Sequence, residues 1–292
     1  MNNKCPWCGS DKAQINLWLK DDFLTKEDFH ICECLSCGLL YTMPRPPKDK
    51  IGDYYKSEEY YSHQENKKGF IPKIYEAVKK VNLKHKIKIA TNGLEAGKLL
   101  DIGCGVGDFI HVAEAKGWNC QGVEPSEEAK EIARKRIKAN IINSEAMETI
   151  PDATFDVVTM WHVLEHVDDL RWQVEQLQRL IKPNGRIVIA VPNYNSYDGQ
   201  YYKEHWAAYD VPRHLNHFNK KTIVKIFKTK GLELVKTDKL AWDAYYISYM
   251  SEQYKIHMFP LIKGTYRGFV SNSKARRSGE WSSMIYVFEK KS

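Results

Sequence analysis

The chain has 292 residues, 43% of them apolar and 28% charged, with a formal net charge of +7. These proportions fit an ordinary globular protein with one large domain and a small one. No apolar run reaches the roughly 18–20 residues that a membrane span needs, so no span is expected, and a charge this modest does not by itself point to nucleic acid.

Five of the seven cysteines fall in the first 37 residues. Two knuckles, CPWCG (5–9) and CLSCG (34–38), have the spacing with which paired thiolates grip one Zn²⁺. The glycine after each pair suits a tight turn. A zinc ribbon over residues 1–45 is expected, with Cys5, Cys8, Cys34 and Cys37 as ligands. Four thiolates leave no position for water, so the metal would be structural and would supply folding energy. Cys32 is a fifth thiol that could replace one of the four. An odd cysteine count and an N-terminus lacking an apolar h-region set the expectation of a reducing cytoplasm.

Three prolines within residues 44–47 end the ribbon and open a linker with the tyrosine pairs Tyr54–Tyr55 and Tyr60–Tyr61. Ile74, Ala77, Val78, Val81 and Ile87 then recur at helical spacing, giving a linker and helix over 46–96. The lysine-rich stretch 79–88 reads as a solvated helix face. From residue 97 strands alternate with helices. KLLDI runs into a glycine turn and a helix, NCQGVEPS is a second strand ending in an acid, and Ser126 caps the next helix. ANII, TFDVVTMWHV (154–163) and RIVIAVPN (186–193) follow as strands. Between the last two, an amphipathic helix over 169–185 closes on Pro-Asn-Gly. This alternation means a parallel sheet with crossover helices.

The glycine turn is Gly103-Cys104-Gly105-Val106-Gly107, preceded by Asp101, and Glu124 ends the next strand. Together DIGCGVGDF, VEPS, TFDVVTMWHVLEHVDD and LIKPNGRIVIAVPN resemble the motifs of class I S-adenosylmethionine-dependent methyltransferases over about residues 97–239. The resemblance implies an α/β, Rossmann-like, seven-stranded, mostly parallel sheet over 97–292, its last strand antiparallel and supplied by 282–291. It implies S-adenosylmethionine as cofactor. Gly103, Gly105 and Gly107 would cradle its methionyl end, with Cys104 and Phe109 also cofactor-binding and Asp101 supporting the loop or binding the amino group. Glu124, with Pro125 beside it, would hold the ribose, Glu145 would lie near adenine, and Trp161 and His162 would close over the cofactor.

For an oxygen or nitrogen acceptor the enzyme must also take a proton, and histidine suits that task. Two clusters offer it. His162-x-x-Glu165-His166 has the order of a zinc-peptidase motif, but it follows a strand rather than lying on a helix. It is also similar to the E-x-x-E-H of ubiquinone-pathway O-methyltransferases, which implies a divalent metal, with His162 in place of the first acid. The second cluster is the acceptor-site loop 192–218, whose W-x-x-x-D-x-P-R-H-L-x-H-F stretch resembles a bacterial subgroup of these enzymes. His162, His166, His205 and His214 are the catalytic candidates. Residues 240–281 form an insertion or lid, whose Tyr245, Tyr246 and Tyr249 would line a cavity or pack on the sheet.

The expected acceptor is a small molecule: a sugar, a phenolic metabolite or a polysaccharide precursor. A zinc-bearing segment before such a domain resembles nucleotide-sugar C-methyltransferases. RNA or protein methylation, with the ribbon as recognition module, is the less favoured alternative; Trp161-His162-Val163-Leu164 in place of Asn/Asp-Pro-Pro-Tyr counts against exocyclic base nitrogens and leaves other RNA positions open. A non-catalytic cofactor-binding module is the third. The oligomeric state is not set by the sequence.

Overall fold

The computed structural model describes residues 4–47, 49–55, 70–255 and 258–291. Tyr60 and Tyr61 lie outside the described residues. Strands β1 (Ala13–Lys20), β2 (Asp28–Cys34) and β3 (Leu40–Met43) form an antiparallel N-terminal sheet. Helix α1 (Phe70–Thr91) follows. Ile87 is buried as its spacing predicts, whereas Val81 is exposed.

The large sheet comprises β4 (Lys98–Ile102), β5 (Asn119–Val123), β6 (Asn140–Ile142), β7 (Phe155–Trp161), β8 (Ile181–Pro192), β10 (Leu232–Lys239) and β11 (Ser283–Lys290). Its order is β10-β11-β8-β7-β4-β5-β6. Only β11 runs against its neighbours, as the resemblance implied. Helices α2 (Asp108–Glu114), α3 (Glu127–Arg134) and α4 (Leu170–Leu180) connect the strands. The chain order reverses between β4 and β7, and the crevice beyond the carboxyl ends of such strands is where open α/β sheets bind ligands.

Helix α4 ends earlier than its expected closure at residues 183–185, and Ile181 is already extended. Pro183 explains this, because a proline disfavours helical conformation in the residue before it. Strand β7 stops at Trp161, and His162 turns out of it with φ of 58°.

Successive residues of β4 face opposite layers. Leu100 and Ile102 join one core with Met160, Phe218 and Phe288; Leu99 joins the other with Ile87 and Phe109. The first core runs on without a break into the N-terminal sheet through Trp7, Leu39, Tyr41 and Met43. The ribbon segment therefore shares the large domain's apolar interior. Its sheet even takes its fourth strand, β9 (Asn216–His217), from the loop after β8. That loop begins with α5 (Tyr197–Tyr202) and leads to α6 (Lys220–Lys228). The insertion folds as α7 (Asp243–Tyr254) and α8 (Pro260–Ser278).

Candidate active site

The glycine turn leaves β4 with positive φ at Gly103, Gly105 and Gly107. A Cβ at Gly103 would meet Val163 Cγ2 at 2.3 Å, and one at Gly107 would meet Ile137 Cδ1 at 3.0 Å. At Gly105 a Cβ would have no neighbour within 4 Å, so the turn is open there. The Gly105 amide donates to Glu124 Oε2 at 2.8 Å, and the Ser126 amide donates to Oε1 at 2.9 Å. Glu124 thus clamps the turn to the start of α3, and each oxygen keeps a lone pair for a further donor. Asp101 is buried beneath the turn, accepts from Thr159 Oγ1 at 2.6 Å, and is pushed by burial up to about 7. Cys104 and Phe109 are buried, and Phe109 meets Trp161 with ring centroids 5.2 Å apart. Pro125 and Glu145 are exposed, Glu145 in the first turn of the short helical segment Ser144–Thr149.

Beyond β7, His162 Nδ1 lies 3.3 Å from Glu165 Oε1 and Nε2 lies 3.0 Å from Asp243 Oδ2. Burial pulls this imidazole down, but the two carboxylates outweigh it and raise it to about 9. His162 is therefore a cation near neutral pH, which suits positioning rather than proton acceptance. With both nitrogens taken, the grouping of His162 with Glu165 and His166 as metal donors does not form. Glu165, His166 and His214 converge instead, their donor atoms within 4.8 Å of one another.

The environment of this trio defines its free atoms. His166 Nδ1 lies 3.0 Å from the Arg213 carbonyl and 3.0 Å from Tyr55 Oη, and His214 Nδ1 lies 2.9 Å from the Ala208 carbonyl. A carbonyl can only accept, so each Nδ1 carries a hydrogen, while His214 Nε2 faces Asp210 Oδ2 at 3.9 Å. The rings meet edge to face at 4.5 Å. Burial holds the His166 imidazole down at about 4. Among the described residues, Glu165 Oε2 is buried without a hydrogen-bond partner. It borders a small cavity also lined by Tyr194, Trp206, His214 and His217. His205 stands apart, 4.0 Å from Asp22 of the N-terminal segment.

The match to known proteins agrees with this geometry. The family model described as a methyltransferase domain matches residues 75–237, more than half of the chain. The chain belongs to the methyltransferase-domain family.

Among curated relatives, the ubiquinone biosynthesis O-methyltransferase of Idiomarina loihiensis is 33% identical over 112 residues, covering 36% of this chain and 46% of that protein. That of Schizosaccharomyces pombe mitochondria is 35% identical, covering 34% and 39%. The chain thus spans less than half the length of these relatives. A geranyl diphosphate C-methyltransferase structure from Streptomyces coelicolor shares the fold at a TM-score of 0.52, with 15% identity, 86% of this chain and 92% of that one covered. A SAM-dependent methyltransferase from Archaeoglobus fulgidus does so at 0.50, with 22% identity and coverage of 73% and 94%.

Two charged residues near the glycine turn and His162 escaped the sequence reading. Lys86 of α1 places its ammonium 4.9 Å from the Trp161 ring centroid, and Asp243, Asp101 and Asp108 surround it electrostatically. Asp243 arrives from the insertion. Neither belongs to a recognisable motif, and the only signal was Lys86 falling on the helix face next to buried Ile87.

The loop carrying His214 is braced from the N-terminal sheet. Arg213 is buried against Asp21 at 2.9 Å and Asp210 at 2.7 Å, and it donates to the Tyr54 carbonyl at 3.1 Å. Thr42 Oγ1 donates to the His214 carbonyl at 2.6 Å, and Arg45 reaches Asn216 Oδ1 at 2.9 Å.

The cysteine knuckles meet as their spacing predicts. Cys5 and Cys37 sulfurs are 3.6 Å apart, Cys8 and Cys34 sulfurs 3.5 Å apart, and all four lie within 4.8 Å of one another. A tetrahedron with Zn–S bonds of about 2.3 Å has edges of about 3.8 Å, so the set fits zinc. The Cys37 contact carries the Cys5 thiol down to about 5. Cys32 is buried outside the set, and burial pushes its thiol up.

Proposed function

We propose that this chain transfers a methyl group from S-adenosylmethionine to a small-molecule acceptor of sugar, phenolic or polysaccharide-precursor type. One juxtaposition carries the reading: the open turn at Gly105, the Glu124 carboxylate and the Glu165–His166–His214 trio share one sheet edge. The cofactor, when bound, supplies a methyl group on a sulfonium that is already a good leaving group. Gly105 leaves room for it, and Glu124 can accept from its ribose hydroxyls. Lys86 is placed to meet a carboxylate and Asp101 an ammonium. The protein must then hold the acceptor in line at roughly 3–3.5 Å and take its proton. The His166 imidazole, whose burial disfavours its cation, and the unpartnered Glu165 oxygen are suited to that, with the His214 ring packed edge to face on His166. The His162 cation keeps Glu165 ionised, against the upward push of burial.

The zinc ribbon is read here as structural. Its sheet pairs with β9 and its Asp21 holds Arg213, so it positions the acceptor loop rather than offering a separate recognition face. This supports a small acceptor over RNA or protein.

Calorimetry with S-adenosylmethionine, followed by labelled-cofactor assays against sugar, phenol and RNA pools, tests the reading. Binding is expected, lost in Gly105→Arg and weakened in Lys86→Met. His166→Gln and His214→Gln should retain binding while transfer falls by about 10²-fold. Absence of cofactor binding by the intact chain sinks the proposal, and labelling of RNA alone would replace the acceptor class.

A further inference from the structure

The end of the α7–α8 insertion exposes a concentration of apolar side chains that the methyl-transfer reading does not use. Met258 is 74% exposed, Phe259 64%, Leu261 61% and Ile262 69%. At about 100° per residue, Ile262, Tyr266 and Phe269 share one stripe of α8; Tyr266 and Phe269 are exposed as well. The opposite face carries Gly264, Gly268 and Ala275, all buried. A Cβ at Gly264 would fall 2.5 Å from Tyr249 Cα, and one at Gly268 would fall 2.7 Å from Tyr245 Cα. The rising numbers on α8 against falling numbers on α7 make the pair antiparallel. The glycines therefore lock α8 onto α7, fix its rotation, and turn the apolar stripe outward.

The same stretch is strongly basic. Residues 255–279 contain six Lys or Arg and no Asp or Glu. Lys263, Arg276 and Arg277 are exposed, and Arg276 and Arg277 continue the apolar stripe toward the helix end. Arg267 and Lys274 lie beside it, stacked on Tyr201 at 4.1 Å and Tyr197 at 4.0 Å. Exposed apolar tips flanked by the exposed Lys263, Arg276 and Arg277 match an anionic lipid surface, where the side chains enter the headgroup boundary and the cations meet phosphates. A second copy of the chain fits poorly, since a two-fold pairing of this face would set its cations against themselves. No helix among the described residues is long and apolar enough to cross a membrane, so the contact would be peripheral.

We propose that the Met258–Ile262 tip and the outer face of α8 dock this protein onto anionic membrane surfaces. The interaction does not rest on the catalytic reading. The test is co-sedimentation of the full chain with phosphatidylcholine vesicles, with and without phosphatidylglycerol. Binding is expected only with the anionic lipid and should weaken as salt is added. Phe259→Ser combined with Ile262→Ser, and separately Arg276→Gln combined with Arg277→Gln, should each reduce binding by about tenfold or more. Phe259→Trp should show a blue-shifted emission on anionic vesicles, a readout that needs no loss of function. These side chains are exposed, so unchanged thermal melting is the control for folding. The proposal is overturned by wild-type protein that ignores anionic vesicles, or by undiminished binding in both double variants. It is equally overturned by a concentration-dependent dimer that the Phe259/Ile262 variant abolishes without any vesicle binding.

Discussion

Asp243→Asn tests whether the insertion is electrostatically part of the site. In the folded chain His162 lies between Glu165 and Asp243, with Lys86 near Asp243, and its imidazole is raised from 6.5 to about 9. A folded value above the free one means that the folded state holds the proton longer. The stabilisation is complete below about pH 6.5 and is lost as the pH rises through about 9. At about 1.4 kcal/mol per pH unit the ceiling is about 3 kcal/mol. Because 32% of the His162 side chain reaches solvent, screening reduces this to about 1–2 kcal/mol. Urea unfolding at a series of pH values should therefore show wild-type stability falling by about that much from neutral to alkaline pH. Asp243→Asn leaves only Glu165 to hold the proton, so its decline should be less than half as large. An unchanged decline in Asp243→Asn would refute the pairing and with it the insertion's role in the site.

Other outcomes follow from the same contacts. Gly105→Ala should cost only about 1 kcal/mol, from its left-handed backbone alone, since nothing stands within 4 Å of the added Cβ, yet bind cofactor at least tenfold more weakly by calorimetry. Gly103→Ala should instead lower thermal stability by about 1–3 kcal/mol, because Val163 occupies the space and the backbone is left-handed. Arg213→Met strands Asp21 in the interior and should cost about 3–5 kcal/mol; limited proteolysis should then release the N-terminal segment. Metal analysis should find zinc lost in Cys5→Ser with Cys8→Ser and retained in Cys32→Ser, and the reverse pattern would reassign the ligands.

Local pattern carried much of this protein. The G-x-G-x-G turn after an apolar strand is legible because three left-handed positions at that spacing favour glycine, and Glu124 is legible because it follows the next strand directly. The paired C-x-x-C-G knuckles are legible because one ion needs all four sulfurs. That the sheet is mostly parallel follows from the alternation of strands with helices. The sequence could not show which histidines meet. His162, His166, His205 and His214 were all candidates, from two separate clusters. Folding separated them: Asp243, about eighty residues away, makes His162 a cation. The carbonyls of Ala208 and Arg213 hold the Nδ1 atoms of His214 and His166, and His205 turns to Asp22. The separateness of the ribbon was also undecidable from sequence, because β9 is two residues long and Arg213 pairs with an acid 192 positions away. Motifs whose parts are neighbours in the chain, or whose spacing is imposed by one ion or one turn, were written in the sequence. Protonation states, the convergence of Glu165, His166 and His214 and the bracing of the loop that carries His214 were decided only by tertiary structure. They depend on charges and carbonyls that are distant in the chain and are brought together only by burial of the common core.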